Sequence, residues 1–328
     1  MKIFVTRKIP GEYLERLTAA GYDVGVSIFD RPLLQEELLV KVADCDGIIS
    51  LLTDRIDEDL MDTAGPQLKV IANYAVGFDN IDVRAATHRG IVVTNTSSAE
   101  VDEAVAEHTW ALILALARRI VEADESVRRG AFRGWEPDIF LGTNVRGKTL
   151  GIIGLGKIGT YVARRAKGYN MTVLYNKHSP DPEAEKELGV KFASLDDLLA
   201  TSDVVTLHVS LTEETRHMIN PVTLSKMKKG AFLVNTSRGS VVEEKALVEA
   251  LRRGNLAGAA LDVFETEPNV HPELIAMPNV ITTPHIASAT YEARYKMSEQ
   301  VVTAVLDVFA GKKPQNLVNE EVWDNRRK

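Results

Sequence analysis

The chain of 328 residues has a single cysteine, Cys45, so no disulfide can form within it. So little cysteine is typical of a reducing compartment. The first residues, MKIFVTRKIPGEYL, form a short apolar run followed by charges, without the long apolar core of a secretory signal. We therefore expect a cytoplasmic protein in which Cys45 is a buried packing residue.

The sequence also lacks the features that three kinds of partner require. Its formal net charge is −7, whereas nucleic-acid binding normally needs a basic face. Its most apolar segment, residues 104–119, includes Glu107 and His108 and is too short to cross a bilayer. No two histidines are spaced i, i+4, and one cysteine cannot supply a ligand pair. We expect no nucleic acid, no membrane and no metal as partners. The net charge does not exclude a small anionic substrate, because a few local cations can dominate a pocket.

What the sequence does contain is a regular alternation of short apolar runs and amphipathic stretches. Residues 2–6, 47–52, 69–73 and 91–94 are predicted strands, and a second series begins with KTLGIIGLGKIGTYVARRA at residue 148. One long helix is predicted from about residue 100 to 129. This alternation is typical of α/β proteins with parallel sheets and crossover helices, and the chain length suits two such domains.

The strand at the start of the second series leads into a glycine-rich turn. GIIGLGKIG matches the pattern G-x-G-x-x-G at Gly154, Gly156 and Gly159, and an amphipathic helix follows it. In this pattern the first glycine permits a tight turn, the second lets a pyrophosphate approach the backbone, and the third lets helix and strand pack closely. We predict that Leu155, Lys157 and Ile158 contact the cofactor together with the three glycines.

The segment VLYNKHSP, residues 173–180, ends the next strand without the acidic residue that many such units place against the adenosine ribose. Asn176, Lys177 and His178 stand there instead. An aspartate would repel a 2′-phosphate, whereas lysine and histidine can donate hydrogen bonds to one. We predict that these residues bind the cofactor and that NADP is preferred. The alternative is a solvated loop that tolerates NAD as well.

Three charged residues follow later strands of the second series. Arg238 comes after FLVNTS, Glu267 after ALDVF and His285 after ITTP. In a doubly wound sheet ligands bind beyond the carboxyl ends of the strands, where these side chains would converge. An imidazolium can protonate the alkoxide that forms when a 2-oxo acid is reduced, and a carboxylate would favour that protonated form. Arginine offers forked donors to a carboxylate or carbonyl. The alternatives are solvated loop ions and a structural histidine.

FLVNTSRGSVVEEKALVEAL, ALDVFETEP and TPHIASAT together resemble the D-isomer-specific 2-hydroxyacid dehydrogenase family. VIANYAVGFDNIDVRAATHRGIVVTNT is similar to its glyoxylate/hydroxypyruvate reductase branch. The resemblance implies a Rossmann-type nucleotide domain at 99–289, a flavodoxin-like substrate domain at 1–98 and 290–328, and a homodimer.

The resemblance also implies roles for single residues. His285 would be the acid/base, Glu267 its partner, and Arg238 the group that binds and polarises the substrate. The amides of Val76 and Gly77 would hold the substrate carboxylate, and Leu52 would lie near its small side group. Asp262 would lie close to the nicotinamide. The remaining cofactor contacts are expected at Val209, Ser210, Thr215, Thr236, Ser237 and Ala287, of which Ser210 and Ala287 replace the family's usual proline and glycine.

The resemblance therefore implies NAD(P)H-dependent reduction of glyoxylate or hydroxypyruvate to the 2-hydroxy acid. Two alternatives stay open. One is a D-lactate-type or other small 2-oxo acid dehydrogenase on the same framework. The other is a nucleotide-sensing interaction protein, which would not need the complete set of Arg238, Glu267 and His285. His108 and His208 are interpreted as packing residues, or for His108 as part of a dimer interface.

Overall fold

The computed structural model describes residues 1–327. Its backbone contacts divide the chain into two units. The first consists of Met1–Val101 together with the residues from Ala289 onward, and the second is Asp102–Ser288. The sequence-based boundaries, after residues 98 and 289, lie three residues and one residue from these.

The first unit is built on a five-stranded parallel sheet. Its strand order is β2-β1-β3-β4-β5, the flavodoxin-like arrangement. The strands are Lys2–Val5 (β1), Asp23–Val26 (β2), Gly47–Leu51 (β3), Val70–Tyr74 (β4) and Val92–Thr94 (β5). The central strands are almost entirely buried, which is why they read as continuous apolar runs in the sequence.

Four helices connect these strands, and two of them begin at aspartate caps. Asp57 and Asp82 each accept a hydrogen bond from an amide three residues further on, which satisfies a donor that the first turn leaves free. The helices are Glu15–Ala19 (α1), Gln35–Val42 (α2), Glu58–Ala64 (α3) and Val83–His88 (α4). Apolar side chains of α2, α3 and α4 close one side of the core around Leu38, Leu60 and Ile71.

Strand β2 was not predicted from the sequence. Its residues, DVGV, contain a glycine and are exposed or half-buried along their whole length. An edge strand of this kind has no continuous apolar run. It is defined by its pairing with β1, from Lys2 opposite Asp23 to Val5 opposite Val26.

The single long helix predicted over residues 100–129 is wrong. The structure has two helices, Ala99–Ala117 (α5) and Ile120–Arg128 (α6), separated by Arg119 in the left-handed conformation with φ 54°. The amide of Thr143 donates a hydrogen bond to the carbonyl of Ala117 at 2.8 Å, and Gly142 packs directly against the same carbonyl. The end of α5 is thus determined by residues 142–143, which are distant in sequence. The sequence around Arg119 contains no signal that predicts this break.

The second unit has a seven-stranded parallel sheet in the order β12-β11-β10-β9-β6-β7-β8, a Rossmann arrangement with one added strand. The strands are Thr149–Ile153 (β6), Thr172–Asn176 (β7), Lys191–Phe192 (β8), Val204–Leu207 (β9), Ala231–Asn235 (β10), Leu256–Leu261 (β11) and Val280–Thr282 (β12). The α/β class and the two doubly wound sheets predicted from the sequence are confirmed.

Helices cover both faces of this second sheet. One apolar cluster contains Leu198, Leu247 and Leu261, and the other contains Trp110 and Val162. The helices are Lys157–Ala166 (α7), Pro182–Leu188 (α8), Leu195–Thr201 (α9), Pro221–Lys226 (α10), Glu244–Arg252 (α11) and Pro272–Ala276 (α12). The strand order reverses between β6 and β9, so the loops that follow these two strands border the crevice where such sheets bind ligands.

The last helix, Tyr291–Phe309 (α13), belongs to the first unit and packs on β4. Three short 3-10 helices, Lys167–Tyr169, Gly239–Val241 and Glu320–Asn325, complete the structure. Within residues 1–327, none of the helices combines the length and the apolar character needed to cross a membrane.

Helix α5 contains a buried carboxylate, that of Asp102, which is 3% exposed. Burial raises the pKa of this carboxyl from 3.8 to about 6, and the positive charge of Lys157 limits the rise. Because the folded state binds the proton more tightly than the unfolded state, stability falls as the pH rises from about 4 to 6. Above that pH the folded protein contains a charge in a poorly solvated position.

We expect Asp102→Asn to stabilise the protein at pH 8 by up to about 3 kcal/mol, because it removes this penalty. At pH 4 the variant and the wild type should unfold at nearly the same temperature. Thermal unfolding at both pH values measures the difference. Asp203→Asn is a control of opposite sign: burial works to raise the pKa of Asp203, but hydrogen bonds from Lys228 and the Thr149 amide lower it overall. Equal midpoints for Asp102→Asn and wild type at pH 8 would contradict the prediction.

Candidate functional site

The glycine turn between β6 and α7 has the shape that a dinucleotide needs. A side-chain carbon at Gly154 would lie 2.6 Å from the carbonyl of His208, and one at Gly159 would collide with the carbonyl of Gly154. At Gly156 nothing lies within 4 Å of that position. The backbone is therefore open where a pyrophosphate would approach. The amides of Ile158 and Gly159 lie in the first turn of α7, where a helix offers them no acceptor of its own.

The end of β7 is fixed by two side-chain contacts. Asn176 donates from Nδ2 to the carbonyl of Ala193 at 3.0 Å. Lys177 lies 3.0 Å from the Asp181 carboxylate, which also accepts the Ala184 amide at the start of α8. The pKa of Asp181 is lowered, mainly by the hydrogen bond from the Ala184 amide and next by the hydrogen bond from Lys177. The loop thus contains a cation, but a nearby carboxylate offsets part of its charge.

The loop after β9 closes the other side of the switch point. His208 donates its amide to Ile153 on β6 at 2.8 Å, and Val209 lies next to Gly154. The Thr215 hydroxyl donates to the carbonyl of Ser210 at 2.7 Å, which shapes the loop. Burial lowers the pKa of His208 to about 3, so the ring is neutral. Its Nε2 is buried without a hydrogen-bond partner among residues 1–327, which agrees with a packing role.

The charged residues predicted after β10, β11 and β12 are brought together. Nδ1 of His285 and Oε2 of Glu267 are 2.9 Å apart, and the other oxygen of Glu267 accepts the Phe264 amide at 3.1 Å. Burial works to raise the pKa of Glu267. The hydrogen bond and charge of His285, the Phe264 amide and the charge of Arg238 outweigh burial, so that the pKa is lowered. Glu267 is thus a carboxylate at neutral pH, beside an imidazole and within the field of a guanidinium.

Arg238 is placed by the last residue of its own strand. Asn235 is fully buried, accepts the Ser237 amide at 3.0 Å and donates to the carbonyl of Arg238 at 2.9 Å. Thr236, between them, pairs with the Thr109 hydroxyl of α5 at 2.9 Å. Gly239 follows directly and lies so close to the backbone of Phe264 that no side chain fits. The conformation of the Arg238 loop is therefore dictated by buried contacts on both sides.

His285 adopts a left-handed backbone with φ 54°, which a residue with a side chain rarely adopts. The carboxylate of Asp262 supports it. One oxygen accepts the Ile286 amide at 2.9 Å and the other the Ala287 amide at 2.8 Å, while the Asp262 carbonyl accepts the His285 amide at 2.8 Å. Thr283 donates to the same carboxylate at 2.6 Å. Asp262 therefore positions the His285 loop, and its contact with nicotinamide stays a prediction.

His108, interpreted as a packing or interface residue, reaches this network from α5. Its Nε2 is 3.2 Å from the Thr283 hydroxyl and 3.4 Å from the carboxylate of Asp262. Burial works to raise the pKa of Asp262, but these hydrogen bonds and the two backbone amides lower it. Sequence reasoning missed this link. The available signal was a histidine within the most apolar segment of the chain, which predicts a polar partner on the buried side.

The substrate contacts predicted in the first unit lie in two neighbouring loops. Leu52 follows β3, while Val76 and Gly77 follow β4, and the two strands are paired from Gly47 opposite Val70 onward. All three residues are partly buried. Within residues 1–327, no group of three or more His, Cys, Asp or Glu side chains could hold a metal ion.

Comparison with known proteins agrees with this geometry. The sequence model described as "D-isomer specific 2-hydroxyacid dehydrogenase, NAD binding domain" matches residues 110–287. The chain is 50% identical over 330 residues to the glyoxylate reductase of Thermococcus kodakarensis, covering 99% of this chain and 98% of that protein. It is also 50% identical to the glyoxylate reductase of Aeropyrum pernix, with 98% and 96% covered.

A solved structure is similar along the whole chain. It is an NADPH-dependent glyoxylate/hydroxypyruvate reductase from Sinorhizobium meliloti in complex with NADP and malonate. It is 34% identical with a TM-score of 0.86, and the match covers 100% of this chain and 98% of that one. These similarities confirm the predicted resemblance and make the protein an oxidoreductase with a nicotinamide cofactor. The chain belongs to the D-isomer specific 2-hydroxyacid dehydrogenase family.

Proposed function

We propose that the protein reduces glyoxylate, and hydroxypyruvate by the same chemistry, to the corresponding 2-hydroxy acid. The observation that carries the proposal is the His285–Glu267 pair, 2.9 Å apart, in the electrostatic field of Arg238. A proton donor, a carboxylate that holds it and an arginine are the groups that carbonyl reduction requires. Relatives named glyoxylate reductase are 50% identical to this chain over nearly its full length.

The roles of the catalytic residues follow from their contacts. The cofactor, when bound, supplies the hydride that is added to the carbonyl carbon. Glu267 holds Nδ1 of His285, which leaves Nε2 as the ring nitrogen that delivers a proton to the carbonyl oxygen. The lowered pKa of Glu267 keeps its carboxylate negative at neutral pH, so it can accept a hydrogen bond from Nδ1–H and fix the orientation of the His285 ring. Arg238 polarises the carbonyl and binds the substrate.

Residues of the first unit would bind the rest of the substrate. We assign the carboxylate to the backbone amides of Val76 and Gly77 and the small side group to Leu52. Glyoxylate has only a hydrogen in place of that side group, so the size of this position decides between glyoxylate, hydroxypyruvate and pyruvate.

The buried state of Cys45, the one cysteine in the chain, is compatible with work in the reducing environment of the cytoplasm.

We further propose a preference for NADP(H). The tip of β7 has Asn176 in the place of a ribose-binding acid, and Lys177, His178 and Ser179 can donate to a 2′-phosphate. Asp181 opposes this preference because it pairs with Lys177. The pair lies in the loop before α8 and is partly exposed, so a phosphate can compete for the lysine. Asn176, Lys177 and His178 would then be the residues that discriminate between the cofactors.

A homodimer is the third part of the proposal. Large apolar side chains are exposed along α6 and the segment after it, within 22 residues of chain. These are Ile120, Val121, Val127, Phe132, Trp135, Ile139 and Leu141, of which Trp135 is 84% exposed. A cluster of exposed apolar side chains in one segment is typical of interaction sites, and a second copy of the same chain is the commonest partner.

Steady oxidation of the reduced cofactor on addition of glyoxylate is the expected result, measured beside hydroxypyruvate and pyruvate. His285→Ala should lower kcat at least about a hundredfold, because it removes the proton donor, while cofactor affinity stays unchanged. His217→Ala is a matched control, since His217 also pairs with a glutamate, Glu265, and also has a positive φ. No turnover with any of the three acids, alongside intact cofactor binding, would refute the proposed reductase activity. A preference for pyruvate would instead favour the D-lactate-type alternative.

For the cofactor we expect a higher kcat/KM with NADPH than with NADH. Lys177→Ala should lower kcat/KM for NADPH about tenfold and leave that for NADH unchanged, because only the 2′-phosphate contact is lost. Lys226→Ala removes a lysine that is also paired with an aspartate, Asp196, but on another part of the surface. It should change neither value. A higher kcat/KM with NADH in the wild type would overturn the proposed preference.

Light scattering should give a mass of twice the 36.1 kDa of the chain. Trp135→Glu should shift the protein toward the monomer, because a charge would have to be buried in the interface. Val222→Glu introduces the same charge at an isolated exposed apolar position, 62% exposed, and should leave the mass unchanged. A monomeric wild type, or a dimer that resists Trp135→Glu, would count against this interface.

A further inference from the structure

The backbone from Ala75 to Gly77 is held at every carbonyl. The amide of Thr96 donates to the Ala75 carbonyl at 2.9 Å, and Nδ2 of Asn95 donates to the Val76 carbonyl at 2.8 Å. Nδ2 of Asn73 donates to the Gly77 carbonyl at 3.0 Å. Three consecutive peptide units are thus fixed from outside the segment, two of them by asparagine side chains.

Fixing a carbonyl also fixes an amide. A trans peptide unit is planar, so its C=O and its N–H point in opposite directions. The hydrogen bond from Thr96 therefore sets the direction of the Val76 N–H, and that from Asn95 sets the Gly77 N–H. The bond from Asn73 does the same for Phe78. Throughout residues 1–327, none of these three N–H groups donates to a protein acceptor.

Asn73 is in turn held by a buried network. Its Oδ1 accepts from the Ser50 hydroxyl at 3.0 Å, its Nδ2 also donates to Asn80 at 3.0 Å, and Ser50 and Asn73 are fully buried. Nδ2 of Asn80 donates to the carbonyls of Leu51 at 3.1 Å and Asp54 at 3.0 Å. The same asparagines therefore fix the loop that contains Leu52 and the loop that contains Val76 and Gly77.

We propose that Asn95 and Asn73 are positioning residues for the substrate carboxylate: they aim the amides of Val76, Gly77 and Phe78 at one anionic group. This inference rests on the proposed function of Val76 and Gly77. A carboxylate that accepts well-aligned amides gains charge-assisted hydrogen bonds, which depend steeply on direction. Loss of the asparagine donor leaves the carbonyl without its partner and frees the peptide unit to rotate.

The test is Asn95→Ala, because Asn95 is half-buried and outside the Ser50–Asn73–Asn80 network. We expect KM for glyoxylate to rise about tenfold or more, with a much smaller change in kcat, since ground-state binding of the carboxylate is what is lost. KM for the cofactor should stay unchanged, because the proposed cofactor residues belong to the other unit. Asn95→Asp, which keeps the shape but removes the donor, should raise KM at least as much.

Asn319→Ala is the matched control. Asn319 holds the amino end of β5, accepting the Val93 amide and donating to the Ile91 carbonyl, both at 2.9 Å, whereas Asn95 follows the carboxyl end of the same strand. Asn319→Ala should lower the unfolding temperature and leave KM for glyoxylate unchanged. If it raises KM as much as Asn95→Ala does, the effect is one of general stability and the positioning role is refuted.

Calorimetric titration with oxalate separates this inference from the proposed function. If the wild type reduces glyoxylate and Asn95→Ala keeps the wild-type KM, the positioning role fails while the proposed function stands. If the wild type does not reduce glyoxylate, the proposed function fails, and oxalate decides the inference. Weaker binding of oxalate to Asn95→Ala than to wild type and Asn319→Ala supports positioning. Equal binding, or none to the wild type, overturns it.

Discussion

The site depends on one buried carboxylate, that of Asp262. It is fully buried and accepts the amides of Ile286 and Ala287 and the hydroxyl of Thr283. These bonds hold a loop in which His285 has a left-handed backbone, a conformation that a side-chain-bearing residue adopts only when its surroundings over-determine it. The imidazole would not face Glu267 without that backbone. The proposed proton donor therefore owes its orientation to a residue that need not touch the substrate.

The same device occurs at two other strand ends. Asn235 ends β10 and holds the Arg238 loop, and Asn73 lies in β4 and holds the loop with Val76 and Gly77. Both asparagines are fully buried. A parallel strand leaves backbone groups unpaired where it stops, and a short polar side chain at that point can satisfy them. Because an unsatisfied buried amide costs about 1–3 kcal/mol, each loop is confined to one conformation.

Much of this structure could be predicted from the sequence because its causes are local. Buried parallel strands read as apolar runs, and the glycine turn is defined by close backbone contacts at Gly154 and Gly159. The structural features that could not be predicted from the sequence are determined by contacts between segments far apart in the chain. Strand β2 is defined by its pairing with β1, and the break at Arg119 by a contact with residues 142–143.

The hydrogen-bond networks that hold the site loops could be predicted only in part. VIAN, FLVN and AALD each end an apolar run with one polar residue, and this signal marks Asn73, Asn235 and Asp262. It shows that a buried polar group must find partners. It does not show which backbone groups those partners are, because they belong to loops whose course depends on the tertiary fold.

A histidine beside a glutamate does not by itself define the catalytic centre. His217 and Glu265 form a shorter pair, 2.6 Å against 2.9 Å, and His217 also has a positive φ. Yet Glu265 binds the Glu244 amide at the start of α11, and the residues after His217 lead into a bridge between Ile219 and Val242. That pair ties together two connecting segments. His217 and Glu265 follow β9 and β11, which are not neighbours in the sheet. His285 and Glu267 follow the carboxyl ends of adjacent strands, β12 and β11, within the field of Arg238. Neighbouring strand ends within the field of Arg238, rather than the pair itself, favour His285 as the proposed proton donor. The contact of Glu265 with the start of α11 favours a structural role for His217.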